Sequence, residues 1–221
     1  REALLNSVSH DLQTPVAAIL GSASVLEGMD EHAAPQARRE LTTAIRSEAE
    51  RLAVHIRNVL ELSRIRAGQV APRLELVELP DIVNSALHRA EKALAGRALE
   101  VELAAGLPML RVDPFLLEHA IANVLDNAAK FSPPGSPVGV AARIEGAEVV
   151  LEVRDAGHGV RAEELERVFD AFYRGSAQAA GSGLGLAICR AFVEANGGTV
   201  AVLSAGEARG TQVQIRLPIS R

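Results

Sequence analysis

His10 and Asp11, side by side in Ser9-His10-Asp11-Leu12-Gln13-Thr14-Pro15, have the makings of a nucleophile for phosphorus. A histidine titrates near neutrality, so its neutral nitrogen can attack an electrophilic phosphorus atom. A carboxylate beside it that orients the imidazole, or accepts its other proton, makes that nitrogen a better nucleophile. Thr14 lies one helical turn along on the same face. A lone His-Asp pair is most often solvated helix surface, so its meaning depends on what else the chain carries.

Three further groups of residues carry that meaning. In the stretch from His119 to Phe131, Asn123 and Asn127 are four apart and share one helix face. An amide oxygen can ligate Mg²⁺, which prefers oxygen donors and keeps waters and phosphate oxygens in its shell. Lys130 lies three residues beyond Asn127 and can meet a phosphate as a point charge. Asp126 is off that face and reads as a solvated charge. Asp155-Ala156-Gly157-His158-Gly159 follows an apolar run. A buried carboxylate there suits the exocyclic amine of adenine, whereas guanine would set a carbonyl against it. Gly157 and Gly159 permit the close approach of a flat ligand. Gly181-Ser182-Gly183-Leu184-Gly185 then opens a helix, offering backbone N–H groups and a positive dipole end to phosphates. The small, unpatterned run from Gly175 to Gly181 suits a mobile lid, with Phe169 and Phe172 as anchors and Arg174 placed to meet a terminal phosphate or another domain. His32, His55, His88, His119 and His158 have no such context and read as surface or packing residues.

These groups need elements to hold them. Residues 1–66 carry apolar residues at helical spacing in two long runs, parted by a turn between Gly28 and Pro35. Pro15 should bend the first helix about one turn before it. Two antiparallel helices cannot enclose a core, so a second hairpin completing a dimeric four-helix bundle is the economical expectation. Residues 67–72 read as a linker. Beyond it, Leu74, Leu76 and Leu79 alternate as in a strand, and a helix is expected from Pro80 to about Ala95. Leu99–Leu103 alternates as a half-buried strand. Asp113-Pro114 opens a helix running to about Phe131. Hairpins are expected over 138–154 and 199–217, with a helix over 184–196 between them. This order implies a mixed sheet with helices layered on one face.

Composition narrows the class. The chain has 221 residues, 48% of them hydrophobic, enough for one large or two modest domains with real cores. The net charge of −5 argues against a nucleic-acid partner. Cys189 stands alone in an apolar run, so no internal disulfide forms and a buried inert thiol is expected, in keeping with a reducing compartment. No uninterrupted apolar stretch is long enough to cross a bilayer, and no signal peptide is visible. The chain opens on a helical pattern without a capping residue, so a fragment with a truncated first helix is expected.

These residues resemble the transmitter region of two-component sensor histidine kinases along nearly the whole chain. Ser9–Pro15 resembles the family's H-box, Asn123–Phe131 its N-box, Asp155–Gly159 its G1 box, Phe169–Arg174 its F-box and Gly181–Gly185 its G2 box. The resemblance implies an α+β chain with two parts. Residues 1–66 would be a dimerisation and phosphotransfer hairpin, and residues 73–221 an ATP-binding α/β sandwich of the gyrase–Hsp90–kinase–MutL type. It implies ATP and Mg²⁺ as cofactors, with Asn127 as the metal ligand and Asp155 as the adenine contact. Asn123, Lys130, Phe131, Gly157, Gly159, Arg174, Gly181, Gly183, Leu184 and Gly185 would line the nucleotide site. His10 would be the phosphorylated residue, and a response regulator's receiver domain the partner that takes the phosphate. Thr14 would orient a water that dephosphorylates that regulator. The family's ATPase relatives carry a water-activating Glu at the place of Asn123, so phosphate should go here to His10 and not to water. A cytoplasmic location is implied for this piece, within a parent anchored in a bacterial inner membrane through segments absent here. Gln13 replaces the usual Arg of the H-box, Phe131 a frequent Tyr, and Ala171 a frequent Pro. Gln13 is the sole support for the alternative, a catalytically weak ATP-binding signalling scaffold. Ser9–Leu12 together with Ile188–Ala191 most resembles the potassium-responsive KdpD type.

Overall fold

The structure, a computed structural model, describes residues 2–29, 34–66, 72–175, 183–206 and 209–219. The chain divides into two compact units, Arg1–Ser63 and Arg64–Arg221. The division precedes the expected linker, of which residues 67–71 lie outside the described residues.

The first unit is built on α1 (Glu2–Glu27) and α2 (Pro35–Arg66), the latter ending just past the division. Helix α1 runs on through Pro15, which costs it the hydrogen bond to the carbonyl four residues back. Val16, Leu20, Val25, Ile56 and Leu60 are exposed, Leu20 by 62% and Val25 by 56%. Among the described residues, no large aliphatic side chain of this unit is buried. The two helices therefore lay down an apolar seam that one chain leaves open.

The second unit holds β1 (Glu75–Val77), α3 (Leu79–Arg89), the short α4 (Glu91–Leu94), β2 (Leu99–Leu103), β3 (Leu110–Val112) and α5 (Pro114–Phe131). There follow β4 (Val138–Glu145), β5 (Glu148–Asp155), two 3₁₀ turns at Ala162–Glu164 and Arg167–Phe169, α6 (Gly185–Ala195), β6 (Thr199–Leu203) and β7 (Thr211–Pro218). Five strands form a mixed sheet in the order β2-β4-β5-β7-β6, with β2 parallel to β4 and the other pairs antiparallel. Its core face carries Val138, Val140, Val149, Leu151, Val153, Val213, Ile215 and Leu217, all buried. Buried residues of α5 and α6, among them Leu117, Ile121, Leu125, Ile188 and Phe192, form the other layer. On the open face the buried Glu152 is met by Arg143 at 2.5 Å, by Gln214 at 3.0 Å and by Arg154. Burial pushes its carboxyl up, but these hydrogen bonds prevail and hold it below the usual range.

Three sequence expectations change. The helix expected over 80–95 is two helices, because the chain turns at Ala90 (φ −87°, ψ 3°) to bury Leu94. The strand at 74–79 is only Glu75–Val77; Leu79 is fully buried as the start of α3, and Leu74 and Leu76 are exposed. Leu99 and Val101 are exposed as well, because β2 is an edge strand with a single neighbour.

Candidate functional site

Helix α5 begins as its sequence dictates. Asp113 caps it, with Oδ1 accepting from the N–H of Leu116 at 3.1 Å, and Pro114 occupies the first turn, where no donor is needed. Its far end is finished by a residue that motif reading does not single out. Arg97 donates to the carbonyls of Ala129, Ser132 (3.1 Å) and Pro133 (2.8 Å), placing a cation on the helix's negative end.

Three contacts fix α6 against α5. A Cβ on Gly185 would stand 3.3 Å from Nδ2 of Asn127, so the helix start touches that amide directly. His119 lies edge-on to Phe192, centroids 6.0 Å apart. The N–H of Asp113 donates to Oδ1 of Asn196 at 2.6 Å. The order reverses between the two helices, so they run antiparallel. The N-terminus of α6 consequently lies beside Asn127, with Asn123 one turn back along α5. Both asparagines are half-buried and Lys130 is exposed, its ammonium 4.7 Å over the ring of Phe131.

The same C-terminal end of α5, one turn beyond Asn127, lies against the Asp-x-Gly-x-Gly turn. A Cβ on Gly157 would come within 2.6 Å of the Phe131 carbonyl oxygen, so only glycine fits there. Phe131 is edge-on to His158 at 5.3 Å, and His158 Nδ1 donates to the Gly159 carbonyl at 2.7 Å. Asp155 ends β5 half-buried. Its Oδ1 accepts from the N–H of Gly157 at 2.7 Å and of Thr211 at 3.3 Å, which orients the carboxylate. Burial pushes this carboxyl above its usual range, and those two amides oppose the shift.

The glycine turn before α6 rests on the segment after Phe169. Gly183 has φ +65°, and a Cβ on it would stand 2.7 Å from the Tyr173 carbonyl oxygen. The N–H of Phe172 donates to the Gly183 carbonyl at 2.9 Å. Phe172 itself is held at φ +68°, a strained conformation for a bulky residue. Phe169 is buried beneath the guanidinium of Arg190 at 4.1 Å, as expected of an anchor. Leu184 is buried, so only its backbone faces the turn, and Arg174 is exposed.

One line of groups thus runs from Asp155, past Phe131 and Lys130, to Asn127, Gly185 and Asn123. Residues 176–182, which include Gly181 and all of the expected lid but Gly175, lie outside the described residues, as do the side chains of His10 and Asp11 on α1. Thr14 is exposed on that helix and Pro15 is buried. Cys189 is buried, as expected, with its thiol pushed up to about 12 by that burial, and Asp126 is exposed. The motifs do not include Arg97 or Glu164, and they include Tyr173 only within the stretch Phe169–Arg174, with no role of its own. Each acts through contacts with residues distant in sequence, or through a turn whose local pattern is unremarkable.

An α/β sandwich with this line of groups, preceded by a helical unit, defines a class of nucleotide-binding signalling proteins. Residues 112–221 match the histidine kinase-, DNA gyrase B- and HSP90-like ATPase family, and residues 1–68 match the His Kinase A (phospho-acceptor) domain. The chain belongs to the sensor histidine kinases. It is 34% identical over 221 residues to sensor protein KdpD of Escherichia coli K12, covering 99% of this chain and 24% of that protein. The chain thus spans about a quarter of that relative's length. It also resembles the solved mycobacterial sensor histidine kinase MprB, with 35% identity, a TM-score of 0.59, and coverage of 66% of this chain and 97% of that one. The Acinetobacter baumannii histidine kinase AdeS shares the fold, with a TM-score of 0.76 at 22% identity over 96% of this chain and 98% of that one.

Proposed function

We propose that the chain binds ATP in the second unit and transfers its γ-phosphoryl group to His10. The observation that carries this reading is the meeting of Asn127 with Gly185, at one end of a line that begins at Asp155. The Asp155 carboxylate accepts the adenine amine, and the N–H groups opening α6 take the phosphates, with Lys130 and Arg174 adding charge. Mg²⁺ suits this donor set: Asn127 offers one neutral oxygen, and among the described residues no cluster of three His, Cys, Asp or Glu offers more, so phosphates and water fill the remaining positions. When bound, the metal neutralises charge that develops between the β- and γ-phosphates.

In the transfer, a neutral nitrogen of His10 attacks the γ-phosphorus. An N–P bond forms, the bond to the ADP oxygen breaks, and Asp11 takes the imidazole's other proton. Asn123 cannot act as a base toward water, which favours His10 as the acceptor. A receiver-domain aspartate of a response regulator then takes the phosphoryl group. Thr14, exposed one turn from His10, orients water for the reverse activity; Thr14→Ala is expected to keep His10 labelling and slow regulator dephosphorylation, and an unchanged decay rate would remove the residue from that role.

We assign residues 1–66 to dimerisation and phosphotransfer and 73–221 to ATP binding. The open apolar seam of α1 and α2 supports a homodimer. The likeness to KdpD supports a KdpD-type kinase. From the family resemblance we further propose a parent anchored in an inner membrane with this part in the cytoplasm; among the described residues no helix is long and apolar enough to cross a membrane. Incubation with γ-labelled ATP and Mg²⁺ tests the reading. Acid-labile label is expected; acid-stable label, or none, contradicts it.

A further inference from the structure

Glu164 is a buried carboxylate to which phosphoryl transfer gives no task. It closes the 3₁₀ turn Ala162–Glu164 and is 7% exposed. Arg161 meets it twice, Nε to Oε2 at 3.2 Å and Nη2 to Oε1 at 2.8 Å. Tyr173 Oη donates to Oε1 at 2.9 Å, and the Arg167 guanidinium stands 4.5 Å over the tyrosine ring. Tyr173 is therefore held at its hydroxyl and on its ring. Burying a charge is costly unless hydrogen bonds replace its water, so a carboxylate that receives these bonds imposes a definite geometry on what it touches.

What it touches is the support of the glycine turn. The backbone of Phe172 and Tyr173 is the surface on which Gly183 packs, through the 2.9 Å bond from the Phe172 N–H and the approach that leaves no room for a Cβ. Two residues later Gly185 opens α6 against Asn127. A displacement of Tyr173 therefore reaches the N-terminus of α6 through two tight backbone contacts.

We propose that Glu164 and Tyr173 are positioning residues for the triphosphate site. Their hydroxyl–carboxylate bond holds the Phe172–Tyr173 backbone where it aligns Gly183 and the first N–H groups of α6 with the phosphates. The pair does not touch nucleotide and has no part in the transfer step. This rests on the reading of the second unit as an ATP site.

The test uses the whole chain with Tyr173→Phe, Glu164→Gln and the double substitution. Mg-ATP affinity is measured by calorimetry, the initial rate of labelling at saturating ATP with γ-labelled nucleotide, and the fold by thermal melting. Each single variant is expected to bind ATP about tenfold more weakly, the scale of one hydrogen bond to a charged group. The labelling rate at saturating ATP should stay within about twofold, since the reacting groups are untouched. The double variant should be no weaker than the weaker single one, because both act through one bond. Tyr173→Phe removes a single oxygen and keeps the ring under Arg167, which preserves the fold if Glu164→Gln does not. Affinities within about twofold of the unmodified chain, lowered melting with unchanged affinity, or additive losses would each overturn the proposal. If the unmodified chain binds no ATP, the functional reading falls and this proposal with it, an outcome distinct from the others.

Discussion

Asp155 sits between two influences that make its chemistry testable. Burial raises its carboxyl above the usual range while the Gly157 and Thr211 amides oppose that shift. In the proposed site the ionised form is the acceptor for adenine, so affinity should be full well above the raised pKa. It is lost as pH falls through that value, earlier than for a solvated aspartate. Asp155→Asn should weaken ATP binding by about 1–3 kcal/mol, the scale for losing a charged partner of a buried donor, and should abolish this pH dependence. Calorimetry between pH 4 and 7 checks both, and an unchanged affinity would take Asp155 out of the pocket. This residue was legible in the sequence because a carboxylate followed directly by spaced glycines announces itself within five positions. Glu164 was not, because its partners Arg161 and Tyr173 flank it inside an ordinary charged stretch and only the fold turns its carboxylate inward.

At the scale of elements, α5 was readable from end to end. Asp113-Pro114 starts it, and the apolar spacing persists to Phe131. The strand β3 was not, because three residues are too few for a period to show. The edge character of β2 also escaped, since alternation reports two faces and not the number of neighbours. The break at Ala90 follows from the need to bury Leu94, a tertiary demand with no local mark. His119, read as a surface or packing residue, belongs to the second class. Its ring lies tilted against that of Phe115, centroids 4.3 Å apart, and burial, aided by Arg89, pushes its pKa down to about 4. Unfolded, it titrates near 6.5, so between those values the unfolded chain binds more protons than the folded one. Stability is therefore lost as pH falls from about 6.5 toward 4, by on the order of 3 kcal/mol at the lower limit. His119→Leu should flatten that slope in urea unfolding followed by circular dichroism. A slope like that of the unmodified chain would show that other groups carry the acid sensitivity.

At the scale of the whole molecule, the two units follow different rules. The second has a full core between its sheet and helices. The first displays Leu20, Val25, Ile56 and Leu60 to solvent, which a water-soluble helical unit does not sustain without partners. The chain should therefore sediment at twice its own mass. Leu20→Glu, a charge set into the seam, should give a monomer that still binds ATP. Sedimentation at a single chain mass for the unmodified protein would refute the dimeric bundle.

The separation of donor and acceptor is what makes the central claim testable in one measurement. The proposed acceptor, His10, is on α1 in the first unit, and every described group of the proposed nucleotide site is in the second. The measurement is incorporation of γ-labelled phosphate into the His10→Ala chain, at an ATP concentration where that variant is shown to be saturated. The account predicts saturable ATP binding like that of the unmodified chain and no acid-labile label. Acid-labile label on the variant at undiminished level would contradict it, and would place the phosphoryl acceptor on another residue.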